Sequence, residues 1–148
     1  MRGEWVAIDL ETTGLDTAKD SIIEFGAVRF RDGREIDSFT ALVNPRRAIP
    51  QIVTDITGIS NETIASAPSI DLVLPKFLAF VGSAPVVAHM ASFDVALLRT
   101  QHNALHENKV IDTLDLASML LPFAARINLR SLALELRLKL ENAHRAED

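Results

Sequence analysis

Apolar and polar positions change period several times along the chain, and each change marks an element. Over residues 4–10 the apolar Val6, Ala7, Ile8 and Leu10 crowd together as in a buried strand, and Thr12-Thr13-Gly14 breaks the run. Residues 22–30 are β-branched and aromatic, which predicts a second strand, and Arg31-Asp32-Gly33-Arg34 is a strong hairpin-turn signal. Residues 35–43 alternate and return as a third strand, before Asn44-Pro45 and Ile49-Pro50 mark a loop. Residues 52–59 predict a short helical turn closing at Gly58. From Pro68 or Ser69 to Phe80, the spacing of Leu72, Leu74, Phe77, Leu78 and Val81 predicts a helix ended by Gly82. Residues 85–89 read as a short buried strand, and Ser92 stands as N-cap of a helix carrying Phe93, Val95, Leu97 and Leu98. Val110-Ile111 is a last brief strand. Helices are expected over 113–121, over 128–137 and from near Asn142.

Composition narrows the field. A chain of 148 residues that is 48% hydrophobic has the material for one domain, 1–148, around a single core, and no repeat, linker or low-complexity tract divides it. The absence of cysteine excludes a disulfide framework and a thiolate zinc site. The start runs straight into a strand pattern without signal-peptide character, and no apolar run nears the roughly 18 residues a membrane span needs, so a cytoplasmic location is expected. The net charge of −5 argues against a protein that grips nucleic acid mainly by neutralising phosphates. It allows one whose carboxylates bind cations, because a bound cation reverses the local sign.

Three separated segments carry candidate chemistry. In Asp9-Leu10-Glu11-Thr12-Thr13-Gly14-Leu15 the two acids stand two apart on a strand, so both carboxylates point to one face, where it breaks. Paired anionic oxygens suit hard cations such as Mg²⁺ or Mn²⁺. An isolated Asp-x-Glu is more often two unrelated acids at a solvated strand end; the buried strand before it and the Thr-Thr-Gly after it favour the site. In His89-Met90-Ala91-Ser92-Phe93-Asp94, Asp94 falls in the first turn of a helix. There an acid is favourable by about 0.3–1 kcal/mol without any further role. In His144-Arg145-Ala146-Glu147-Asp148, His144 and Asp148 are four apart and share a helix face, with Glu147 turned to solvent. His102 and His106 read as surface residues, His89 as ordering its loop, and Asp112 as structural, an N-cap.

In this order, the three segments resemble the DEDDh 3′–5′ exonucleases, a family that includes the proofreading (epsilon) subunit of bacterial DNA polymerase III, ribonuclease T and oligoribonuclease. The element order, an antiparallel three-strand meander followed by alternating helices and short strands, is that of a ribonuclease H-like α/β fold with a mixed sheet. The resemblance implies that Asp9, Glu11, Asp94 and Asp148 bind two divalent cations, Mg²⁺ or Mn²⁺. It makes His144 a general base for water, near its ordinary pKa of about 6.5. The product would be a nucleoside 5′-monophosphate released from a single-stranded 3′ end, DNA favoured over RNA. Thr12, Thr13 and Leu15 would line the pocket for the terminal nucleotide. The turn Ile56-Thr57-Gly58-Ile59 resembles the family's apolar wedge, and Phe93 would add stacking. A DNA polymerase or another replication or repair protein is the implied partner.

Two departures stand out. Relatives carry asparagine where this chain has Met90, and they continue for two or three helical turns beyond the acid matched by Asp148. A chain truncated at its C-terminal helix is therefore expected. The alternatives are an exoribonuclease like ribonuclease T, or a catalytically weak nucleic-acid-binding module of a larger assembly.

Overall fold

The computed structural model describes residues 3–121 and 128–138. Strand β1 (Glu4–Thr12) buries Val6, Ile8, Leu10 and Thr12 and leaves the alternate residues more open. That is the period-2 signature of a strand whose two faces differ. Strand β2 (Ile22–Arg31) is buried from Ile22 to Ala27, and β3 (Arg34–Leu42) is largely exposed, as an edge strand. The turn between them holds Asp32 at φ 52° and Gly33 at φ 77°. Both central residues thus adopt the positive φ that matches the twist of a tight hairpin, as Asp-Gly predicts.

Helices α1 (Gln51–Thr57) and α2 (Asn61–Ile64) follow, then α3 (Ile70–Val81), strand β4 (Val86–Ala88), helix α4 (Ala91–His102), strand β5 (Val110–Asp112) and helices α5 (Thr113–Leu120) and α6 (Leu129–Glu135). The sheet order is β3-β2-β1-β4-β5. β1, β2 and β3 pair antiparallel, whereas β4 runs parallel to β1 and β5 parallel to β4. Among the described residues no helix is long and apolar enough to cross a membrane.

The main core lies on the face of Val6, Ile8 and Leu10, where Phe25, Phe77, Val81, Val95 and Leu98 close over the sheet. Phe25 and Phe77 meet with ring centroids 4.6 Å apart. A smaller cluster of Ile23, Ile49, Ile59 and Ile64 seats α1 and α2 against the sheet. Glu4, Arg29 and Arg31 pair across β1 and β2 at the end remote from Glu11.

Three expectations need correction. The N-cap of α4 is Met90, in the left-handed region with φ 61° and ψ 42°, and Ser92 already lies inside the helix. A contact from a distant segment fixes that start: the Met90 N–H donates to Asp112 Oδ1 at 3.0 Å. The one-turn helix α2 was not expected; Ser60 caps it by accepting from Thr63 N–H, and a single turn is too short to show a period. His102 is half-buried rather than a surface residue, with burial pushing its pKa down and the charge of Asp71 opposing. The helix expected from near Asn142, with His144, Glu147 and Asp148, lies outside the described residues.

Candidate active site

Asp9 and Glu11 project from the face of β1 opposite the core, Asp9 exposed and Glu11 half-buried. In the strand register Gly26 stands across from Asp9, and Glu24 across from Glu11. Gly26 puts no side chain beside Asp9, and both border a cavity of about 210 Å³ that His89 and Thr113 also line. Glu24 is fully buried. The three motif segments do not contain this acid; its signal in the sequence is a carboxylate inside the apolar run Ile22-Ile23-Glu24-Phe25.

Asp94 reaches the same place by another route. Because β4 runs parallel to β1, with Val6 beside Val86 and Ala7 beside Val87, its C-terminal end lies toward the carboxylate end of β1. Helix α4 starts there and carries Asp94 in its first turn, 4% exposed. Burial pushes the Asp94 carboxyl up from an ordinary 3.8 to about 8, and the negative charges of Asp9 and, less strongly, Glu11 push the same way. The backbone N–H groups of Asp94 and Leu10 oppose the rise. Asp9 and Glu11 are thus close enough to Asp94 to disfavour its charge, and the buried carboxyl holds a proton at neutral pH.

The surrounding framework is tied by side chains. Asp112 Oδ1 accepts from the Met90 N–H and, at 2.9 Å, from the Leu114 N–H, so one oxygen secures the starts of α4 and α5. The N-cap role expected of Asp112 is its role here. Thr113 Oγ1 donates to Ala88 O at 3.3 Å and lies 3.0 Å from His89 Nδ1.

The residues expected to meet substrate fall into two groups. Leu15 is displayed at 85% exposure, Gly58 is exposed, and Phe93 is half-buried. Thr12 and Thr13 are buried, and their hydroxyls are spent locally, on Gly14 O at 2.6 Å and Asp20 Oδ1 at 2.8 Å. The Thr13 N–H donates to Ser21 O. Ile59 is fully buried in the smaller core, and the Thr57 hydroxyl donates to Val53 O at 2.9 Å inside α1. The side chain that this turn offers to a ligand is Ile56, 53% exposed.

Among the described residues no three His, Cys, Asp or Glu side chains form a group that could hold a metal ion. A larger and almost wholly apolar cavity, of about 400 Å³, lies between α5 and α6, bordered by Leu116, Leu120, Leu129, Leu132 and Leu136. Its polar lining is His89 and Thr113, which also border the cavity beside Asp9.

Acidic side chains from β1 and α4 thus meet at the end of the central strand of a mixed sheet. The chain matches the family model described as Exonuclease over residues 6–148, and it belongs to that family. It is 42% identical over 148 residues to the DNA polymerase III PolC-type of Clostridium perfringens and 37% identical over 147 residues to that of Bacillus subtilis. These alignments take in 98% and 96% of this chain but only 10% of each relative, so the chain spans about a tenth of their length. Among solved structures, Exonuclease X in complex with 5′ overhanging duplex DNA is 30% identical with a TM-score of 0.77, covering 93% of this chain and 75% of that one. Exonuclease I of E. coli in complex with a dT13 oligonucleotide is 18% identical with a TM-score of 0.81, covering 98% of this chain and 38% of that one. That likeness is one of fold, the ribonuclease H-like exonuclease fold.

Proposed function

We propose that this chain is a metal-dependent 3′–5′ exonuclease domain that releases nucleoside 5′-monophosphates from single-stranded DNA ends. The observation that carries the reading is the meeting of Asp9 and Glu11 with the buried Asp94, whose carboxyl is pushed up to about 8 by burial first and by their negative charges next. Mutually repelling carboxyl groups in a cleft are relieved by a cation, and all-oxygen donors suit Mg²⁺ or Mn²⁺. Asp9, Glu11 and Asp94 do not by themselves form a metal-holding group in this structure, and they would hold two such ions together with Asp148. Once bound, they would supply an activated water and neutralise the charge building on the phosphate.

The remaining roles belong to the chain itself. His144 accepts the proton of the attacking water, and Leu15, Ile56 and Phe93 contact the terminal nucleotide. Contact through sugar, phosphate and base face leaves such an enzyme largely indifferent to sequence. Because Asp94 must lose its proton to bind a cation, loading is favoured as pH rises through 8. The PolC-type relatives are DNA polymerases by name, which supports DNA over RNA and a place within or beside a replicative polymerase.

The test is digestion of 5′-labelled single-stranded DNA and matched RNA with Mg²⁺ or Mn²⁺, with EDTA and Asp9→Ala as controls. A metal-dependent ladder shortening from the 3′ end, absent in Asp9→Ala, is expected on DNA. Faster cleavage of RNA would instead favour an exoribonuclease like ribonuclease T, and binding without cleavage a non-catalytic module.

A further inference from the structure

The loop from Thr13 to Ser21 joins β1 to β2 and carries Leu15, the most exposed large apolar side chain among the described residues. One carboxylate organises it. Asp20 Oδ1 accepts from the Thr13 hydroxyl at 2.8 Å, and Asp20 Oδ2 accepts from the Asp16 N–H at 2.9 Å. The two bonds close the chain on both sides of Gly14 and Leu15. The Thr13 hydroxyl oxygen in turn accepts from the Ser21 N–H at 3.0 Å, which continues the network across the loop's base.

Gly14 confirms how tightly the carboxylate is seated. A Cβ built on Gly14 would lie 2.5 Å from Asp20 Oδ2 and 2.8 Å from its Cγ, closer than side chains are found to pack. Any side chain at Gly14 would thus push the Asp20 carboxylate out of this seat, although the backbone there needs no positive φ. The outer side of the loop is held as well. Gln101, near the end of α4, donates from Nε2 to Thr17 O at 2.7 Å and to Asp20 O at 2.9 Å, and Arg47 donates to Lys19 O at 2.7 Å. Since α4 carries Asp94 at its other end, the loop and the buried acid are referenced to one rigid element.

We propose that Asp20 is a positioning residue of the active site. Through Thr13, Gly14 and Asp16 it fixes the turn that presents Leu15 beside the strand end bearing Asp9 and Glu11, and so sets the affinity for the terminal nucleotide. The inference rests on the exonuclease reading and deepens it. Charge-assisted hydrogen bonds of this kind are worth more than neutral ones. Their loss should surface in KM, because the turn serves binding, while the reacting groups stay on β1 and α4.

The test uses Asp20→Ala, Asp20→Asn, Gly14→Ala and the double variant Gly14→Ala/Asp20→Ala. Steady-state cleavage of a single-stranded oligonucleotide is measured well below each variant's melting temperature. Asp20→Ala should raise KM about tenfold, with kcat within about threefold. Asp20→Asn, which keeps an acceptor for Thr13 and loses the one for Asp16, should fall between it and the wild type. Gly14→Ala alone should also raise KM, and the double variant should be no worse than Asp20→Ala, because the clashing carboxylate is gone. An unchanged KM in Asp20→Ala, a loss of activity matching only the unfolded fraction, or multiplying effects in the double variant would overturn the proposal.

Fluorescence anisotropy of a labelled oligonucleotide with Ca²⁺ separates this from the exonuclease reading. Binding weakened by Asp20→Ala in a chain that does not cleave upholds Asp20 and rejects the exonuclease; a wild type that neither binds nor cleaves rejects both.

Discussion

Replacing Asp94 by asparagine removes a proton-binding site and little else in volume. In the metal-free protein the folded carboxyl titrates near 8 and the unfolded one near 3.8. Between those values the folded state binds the extra proton, so stability falls as pH rises through the interval. Below 3.8 both states are protonated and the penalty vanishes; above about 8 it is complete. About four pH units, at about 1.4 kcal/mol each, bound the whole effect near 6 kcal/mol. The three units from pH 5 to pH 8 bound that portion near 4 kcal/mol. The exposed Asp9 beside it admits water, which softens the repulsion, so a change of about 2–4 kcal/mol is expected over those three units. Urea denaturation in EDTA, at half-unit steps from pH 5 to pH 8.5, would measure it. The difference between Asp94→Asn and wild type cancels titrations that the two share. The variant should gain on the wild type by that amount as pH rises. Curves that run parallel across the range would refute the idea that Asp94 is the buried proton carrier.

Other outcomes follow from the framework. Met90→Asn should raise stability by about 0.5–1 kcal/mol, read as a shift in urea midpoint, because asparagine tolerates the left-handed backbone that methionine occupies at φ 61°. Asp112→Ala should cost about 1–2 kcal/mol by the same measurement, since it strips the cap of α5 and the acceptor of the Met90 N–H together. Phe77→Ala should cost about 3–5 kcal/mol, because the ring is fully buried against Phe25 and Phe39.

What the sequence made legible was local. The meander could be read because residues 4–10 crowd apolar side chains, residues 22–30 are rich in β-branched and aromatic ones, residues 35–43 alternate, and Asp32-Gly33 leaves the hairpin few other shapes. Asp9 and Glu11 could be assigned to one face from their spacing alone, and the structure puts them there. The start of α4 could not be read. Its Ser92 has the chemistry of a cap, yet the helix begins earlier because Asp112, far along the chain, captures the Met90 N–H. No short-range rule contains that bond. The same holds for the role of Asp20 and the burial of His102, which depend on elements meeting across the molecule. Thr12, Thr13 and Ile59 show the converse limit. A motif places such residues near a site but does not say whether their side chains face a ligand or the protein's own interior.

The join between β1 and β4 has a mechanical meaning. The meander is laced by long antiparallel ladders, whereas the other half of the sheet is registered against it by two pairs, Val6 with Val86 and Ala7 with Val87, and by the Val6 N–H donating to Pro85 O. Asp9 and Glu11 therefore ride on the stiff half and Asp94 on the half held by the shorter seam. Amide hydrogen exchange should be slowest in β1 and β2 and markedly faster in β4 and β5, with the acids straddling the boundary between two opening units. Anything that bridges those acids would act as a rivet across the seam. The amides of Val86, Val87 and Ala88 would report its arrival.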